Sequence, residues 1–211
     1  MQKSMSLKNK SYNFKYFIDF FLSFFSLIIF FPLLFIPISL LIKISSKGPI
    51  LFRQKRIGQN KKTFILFKFR TMRFDTPKDV PTHQLTNPEQ WITPIGKFLR
   101  KTSLDELPQL FNILRGEMSI VGPRPALWNQ DDLIAERDKY CVNELRPGVS
   151  GWAQINGRDT LPIPVKAKLD GEYVKRQSFW FDLYIIFRTV LKIFKDDTVV
   201  EGGTGKLSKD K

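Results

Sequence analysis

The chain contains one cysteine, Cys141, and one histidine, His83, among 211 residues. A lone thiol excludes a disulfide framework and any zinc site built on two thiolates. A lone imidazole excludes HExxH metallohydrolases and histidine-rich metal clusters. Acids are scarce as well: 20 Asp and Glu stand against 34 Lys and Arg, a formal net charge of +14. That surplus favours an anionic partner, whether nucleic acid, a lipid surface or a phosphorylated substrate. No G-x-G-x-x-G is present, and GGTGKL (residues 202–207) carries Val200 where a Walker A loop has its first glycine and Leu207 where it has Ser or Thr. Chemistry must then come from carboxylates, Lys and Arg, hydroxyls and a hard metal ion. A hydrophobic content of 43%, with 20 Phe, excludes a disordered chain.

Residues 20–42 form a run of 23 positions without a charge, enough to cross a bilayer core, which needs about 20. No small-x-small cleavage site follows it, so a removable leader fits poorly. The flanks are more telling. Before the run stand Lys3, Lys8, Lys10 and Lys15 against a single acid, Asp19; after it, residues 43–73 hold ten basic residues and no acid. Cytoplasmic flanks are the basic ones, so a simple span would put one basic end on the wrong side. Entry and exit by the same face removes the conflict, and Pro32, which deletes a helical hydrogen bond in mid-run, supplies a way to turn back. Pro37 adds a second break. An ordinary kinked transmembrane helix is the competing reading. The basic stretch after the run also suits anionic membrane lipids, and because it abuts the anchor it argues against nucleic acid. Residues 178–195 (SFWFDLYIIFRTVLKIFK) read as a second membrane element, a helix lying in the interface, with a buried core helix as the alternative.

Between these elements, residues 50–68 read as a β-hairpin turning at Gly58-Gln59-Asn60. Residues 74–90 are polar, with Pro77, Pro81 and Pro88, and read as a mobile loop near the site. Thr93-Pro94 reads as an N-cap followed by a first-turn proline. Ser103-Leu104-Asp105-Glu106 matches a capping box, which starts a helix near residues 103–105 that runs to Gly116. Residues 131–140 and 164–177 are further helices, separated by a Gly/Pro-rich loop at 146–158. The expected division is a basic tail and broken membrane helix (1–47), a catalytic domain (48–195) and a loose tail (196–211). The fold class is α+β and mostly helical, with a re-entrant membrane helix, a small hairpin and a compact cytosolic helical domain bearing interfacial amphipathic helices.

Asp105-Glu106 put two carboxylates at the head of a helix. Acids there favour the helix dipole and cap free amides, which would explain them without chemistry. Their basic surroundings point elsewhere: Arg124 sits in GPRP between two prolines, Arg146 and Arg158 lie beside glycines, and Arg100 lies just before the acids. Rigid arginines suit bidentate grips on phosphate oxygens. A carboxylate facing fixed cations is equipped to attack a pyrophosphate, because the cations offset charge repulsion. Oxygen ligands select Mg2+ over softer metals.

Three blocks then carry a resemblance: KFRTM (Lys68 to Met72), TSLDELPQLFNILRGEMSIVGPRP (Thr102 to Pro125) and RPGVSGWAQINGRD (Arg146 to Asp159). Together they resemble the bacterial sugar transferase family, the small monotopic phosphoglycosyl transferases. The resemblance runs from the hydrophobic segment to about residue 195. It implies transfer of a sugar 1-phosphate from a UDP-sugar to polyprenyl phosphate, usually undecaprenyl phosphate, with release of UMP at the cytoplasmic face of the bacterial inner membrane. Such a step opens polysaccharide or glycoconjugate biosynthesis, and downstream glycosyltransferases are then partners. The resemblance makes Asp105 the nucleophile on the sugar-bearing phosphate and Glu106 its metal-positioning or proton-handling neighbour, the two sharing Mg2+. It matches Arg124 to the family's phosphate contact, Arg100 to the arginine before the dyad, and Asp170 and Tyr173 to an acidic position and a tyrosine in the later helix; Arg146, Arg158 and Lys68 join them as candidate phosphate or substrate contacts. The family breaks its membrane helix at Ser-Pro; here the pair is Phe31-Pro32. Lacking the extra amino-terminal spans of larger members, the chain reads as a minimal catalytic form. The alternative from a different class is a non-catalytic, membrane-anchored basic scaffold.

Overall fold

A computed structural model describes residues 2–76, 88–157 and 161–195. Helix α1 (Gln2–Phe30) passes through a π-helical turn (Phe31–Phe35) into α2 (Ile36–Ser45). The turn answers to Pro32: with no N–H to donate, the proline breaks the regular ladder, and Ile36 N–H reaches back five residues to the Phe31 carbonyl. Backbone angles stay helical on both sides, so Pro32 is absorbed without an excursion from helix. Buried residues recur as Asp19, Ser23, Leu27, Phe35, Ile38 and Ile42. That spacing traces one stripe. Phe17, Phe21, Phe24, Phe25, Ile28 and Leu40 lie on the remaining, exposed surface.

The stripe rests on the rest of the chain along its length. Leu27, Phe35, Ile38 and Ile42 share a core with Phe69 and Leu99, joined by the half-buried Leu107, Leu110 and Phe111. Strands β1 (Leu51–Ile57) and β2 (Thr63–Phe69) form the expected antiparallel hairpin, with Asn60 and Lys61 taking positive φ in the turn. Burial alternates along β2, so Phe64, Leu66 and Lys68 share the inner face. Helix α3 (Pro94–Lys101) starts as expected, the Thr93 hydroxyl accepting from Gly96 N–H at 3.0 Å. Helix α4 (Gln109–Leu114) is followed by β3 (Ser119–Val121), α5 (Asp131–Asp138), β4 (Gly148–Ser150), α6 (Trp152–Ile155), α7 (Ile163–Arg176) and α8 (Phe179–Lys195).

Two features depart from expectation. The capping box does not form: Ser103 takes φ 56° and makes no side-chain cap, and Leu104–Glu106 is a 3-10 turn. Helix α4 begins only at Gln109, because Pro108 has no N–H to bond the Leu104 carbonyl and the chain instead closes Leu107 to Leu104 and Leu110 to Leu107. The segment expected as a loop at 146–158 contains a strand and a short helix. β4 pairs in parallel with β3, matching Ser119 to Gly148 and Val121 to Ser150. Gly148 is required there, since a Cβ would lie 2.0 Å from the Gly122 amide nitrogen. Helix α8 takes a share of both roles considered for it: Phe181 and Ile185 are buried, whereas Trp180, Leu183, Tyr184 and Phe187 are exposed. Most of the 74–90 loop and all of 196–211 lie outside the described residues.

Candidate active site

The 3-10 turn seats Asp105 and Glu106 inside the protein, at 3% and 9% relative exposure. Burying two adjacent carboxylates is costly unless cations accompany them. Lys68 arrives from the inner face of β2, its Nζ 2.9 Å from Glu106 Oε1 and 3.7 Å from Asp105 Oδ2. Arg124 arrives from GPRP, with Nη1 3.3 Å from Glu106 Oε1. Two acids from one turn thus meet two cations from separate elements. Lys68 is itself buried and Arg124 partly open, at 22% side-chain exposure.

Each cation is held by its backbone. Asn112, fully buried in α4, donates from Nδ2 to the Ile65 carbonyl at 2.7 Å and accepts from Phe67 N–H at 3.1 Å, tying the helix after the dyad to the strand that carries Lys68. The Arg124 loop is held on two sides. Gly122 N–H donates to Ser150 O and Gly148 N–H to Pro123 O, while Arg56 Nη1 donates to Pro125 O at 2.9 Å and Ile57 N–H to Ala126 O. Arg100, on the last turn of α3, donates from Nε to Thr71 Oγ1 at 2.9 Å, just past β2.

The other expected phosphate ligands are placed differently. Arg146 stacks on the Tyr16 ring of α1, its guanidinium carbon 4.0 Å from the centroid. Asp170 is 1% exposed and takes Arg137 Nε and Nη2 on one oxygen at 2.9 and 2.6 Å. Tyr173 is buried too, its hydroxyl donating to Asp182 Oδ1 at 2.8 Å. Burial, reinforced by Asp182, pushes that phenol well above its ordinary value, so it remains a proton donor. Asp170 and Tyr173 thus tie α7 to α5, β3 and α8, while Lys68, Arg124, Asp105 and Glu106 come together. Arg158 lies outside the described residues.

A divalent cation fits the dyad in one way. Among the described residues no group of three His, Cys, Asp or Glu could cage a metal. Magnesium, however, is commonly held by one or two carboxylates plus substrate phosphates and water, and Asp105 with Glu106 offers that minimal set. Sequence reasoning missed Asn112, Thr71 and Asp19. An Asn set between the apolar pairs Leu110-Phe111 and Ile113-Leu114 was the available signal for the first.

The family model described as "Bacterial sugar transferase" matches residues 10–196. The chain belongs to the bacterial sugar transferase family. Among its relatives, the UDP-glucose:undecaprenyl-phosphate glucose-1-phosphate transferase of Escherichia coli K12 is 44% identical over 164 residues, 74% of this chain and 35% of that protein. The sugar transferase EpsL of Bacillus subtilis strain 168 is 40% identical over 158 residues, covering 75% of this chain and 76% of EpsL. The exopolysaccharide production protein ExoY of Sinorhizobium fredii is 39% identical over 171 residues, 74% and 75% of the two chains. The chain thus spans about a third of the first relative's length and three quarters of the other two. As a bacterial sugar transferase it presents the dyad and its cations on one compact, helix-backed scaffold.

Proposed function

We propose that this protein transfers a sugar 1-phosphate from a UDP-sugar to undecaprenyl phosphate or a related polyprenyl phosphate, releasing UMP, at the cytoplasmic face of the membrane. The observation that carries the reading is the buried Asp105-Glu106 turn, faced by Lys68 and Arg124. An acid pair that only capped a helix would sit at an exposed first turn. The name of the Escherichia coli relative supplies the substrate class.

In the first half-reaction an Asp105 carboxylate oxygen attacks the phosphorus bearing the sugar. The bond from that phosphorus to the UMP oxygen breaks, and UMP leaves with the bonding electrons. The aspartyl phosphate formed is an activated acyl phosphate. In the second, a phosphate oxygen of the lipid attacks the same phosphorus, the bond to Asp105 breaks, and the carboxylate is restored. Arg124, partly open and rigidly held, meets the donor's phosphates. Lys68 orients the carboxylates and offsets the charge that builds as two anions approach. Asp105 and Glu106 would hold Mg2+, which supplies further charge neutralisation on the phosphate oxygens.

The membrane helix fits the same account. One stripe running through α1 and α2 packs on a single domain, so both halves of the apolar run stay against it. This supports entry and exit by one membrane face over a simple span, with the exposed aromatic flank of α1 and the outer rings of α8 in lipid. The decisive experiment offers full-length protein in lipid nanodiscs a panel of UDP-sugars with undecaprenyl phosphate. UMP release and lipid-linked product are followed, and the quenched enzyme is digested for mass spectrometry. A phosphosugar adduct on Asp105 is expected. Product formation by Asp105→Asn at the wild-type rate would overturn the assignment.

A further inference from the structure

Asp19 is the single acid among the first 74 residues. It lies on α1 just before the uncharged run, and it is 6% exposed. An ionisable side chain at the edge of a membrane-embedded run is expensive unless it has partners and a task. Its partners come from the catalytic domain. The Ser119 hydroxyl, fully buried at the first residue of β3, lies 2.6 Å from Asp19 Oδ2. Lys15, one turn earlier on α1, stands 3.4 Å from the same oxygen and 2.7 Å from Asp182 Oδ2 on α8. Asp182 in turn accepts from Tyr173, whose hydroxyl is also 3.1 Å from the Val121 carbonyl at the end of β3. Ser119 is thereby joined to the membrane helix, while the Val121 carbonyl lies in reach of the single hydroxyl hydrogen that Tyr173 shares with Asp182 and of the Ser119 hydroxyl at 2.9 Å. The next three residues are Gly122-Pro123-Arg124.

We propose that Asp19 is a positioning residue: through Ser119 and β3 it holds the Arg124 loop in place over the dyad, so that the seating of the membrane helix sets the grip of the active site on phosphate. A three-residue strand with only a three-residue partner has little rigidity of its own. The Asp19 to Ser119 bond adds a side-chain hold at its first residue to the backbone bonds that already tie the following loop to β4 and the hairpin. The proposal rests on the phosphoglycosyl transferase reading for its kinetic effect, but not for its structural one.

The test uses full-length protein in nanodiscs, with UDP-glucose as the probe donor and undecaprenyl phosphate as acceptor, should UDP-glucose be turned over by wild type. Asp19→Leu removes the acceptor and is expected to lower kcat/KM about tenfold. Asp19→Asn keeps an acceptor oxygen for Ser119 and should recover most of that loss. In an Arg124→Ala background Asp19→Leu should cause no further loss, because it acts through the arginine already removed. A helix residue that merely stabilised the fold would lower both backgrounds by the same factor, and that outcome would overturn the proposal. Hydrogen exchange supplies an arm that needs no turnover: Asp19→Leu should speed exchange of the Val121 and Gly122 amides at least tenfold while leaving α5 unchanged. Wild-type protein that consumes no UDP-sugar would sink the functional reading alone. Unchanged exchange at those two amides would sink the inference about Asp19, whatever the substrate.

Discussion

Replacing Asp170 with Asn tests whether that carboxylate belongs to the fold or to the substrate. The side chain is 1% exposed and its partner Arg137 is 4% exposed, with two N–H donors directed at one oxygen. Asn keeps the volume but removes the charge, leaving a guanidinium buried without its counter-ion. Breaking such a pair costs about 3–5 kcal/mol. For a domain of this size each kcal/mol moves the melting midpoint by about 2–4 °C, so a fall of roughly 6–20 °C is expected. Exchanging both partners, Arg137→Met with Asp170→Leu, removes the charge and its need together, and the midpoint should return to near wild type. The assay is thermal unfolding by near-UV circular dichroism in detergent micelles, paired with KM for the UDP-sugar measured well below every midpoint. Asp170→Asn that melts with wild type and raises KM tenfold would refute the reasoning and return Asp170 to the donor site.

Asp105→Asn should abolish UMP release while leaving the melting midpoint within a few degrees, since Glu106 remains as the nearer counter-ion of Lys68; the initial burst of UMP checks it. Lys68→Met should lower kcat/KM by about 10²–10³, the usual scale for losing one preorganised charge at a reacting centre, measured by steady-state UMP release. Chelation with EDTA should halt turnover, with Mg2+ restoring it and Zn2+ restoring little, as an all-oxygen donor set favours hard ions. Asn112→Leu should destabilise the protein by about 1–3 kcal/mol by leaving the Ile65 carbonyl and Phe67 amide unpaired, read from the urea midpoint.

Local pattern made much of this protein legible. The hairpin followed from alternation and a Gly-Gln-Asn turn, and α3 from Thr-Pro, because in each case the signal and the structure share a short range. The dyad and Lys68 were legible through motif blocks. What stayed hidden depends on contacts between distant residues. The β3 to β4 ladder pairs two three-residue segments 29 positions apart, Ser119 with Gly148, and neither segment is long enough to show a strand period. Asp170 and Tyr173 matched a family pattern, yet which way a helical residue faces is settled by its neighbours, here Arg137 and Asp182. The capping box failed for a related reason: Pro108 decided where the α-helix could begin, and Ser103 was left in a left-handed turn.

The apolar helix contributes Leu27, Phe35, Ile38 and Ile42 to the same cluster as Phe69 and Leu99. It is therefore a wall of the enzyme and cannot be treated as a detachable anchor. A version trimmed at residue 47 to gain solubility would expose that cluster and aggregate, and fusing the trimmed piece to a foreign transmembrane segment would restore attachment without restoring the fold. Biogenesis is constrained in the same way: the helix emerges from the ribosome before the strands and helices that cover its inner stripe, and must keep that stripe available until the remainder of the chain has been made.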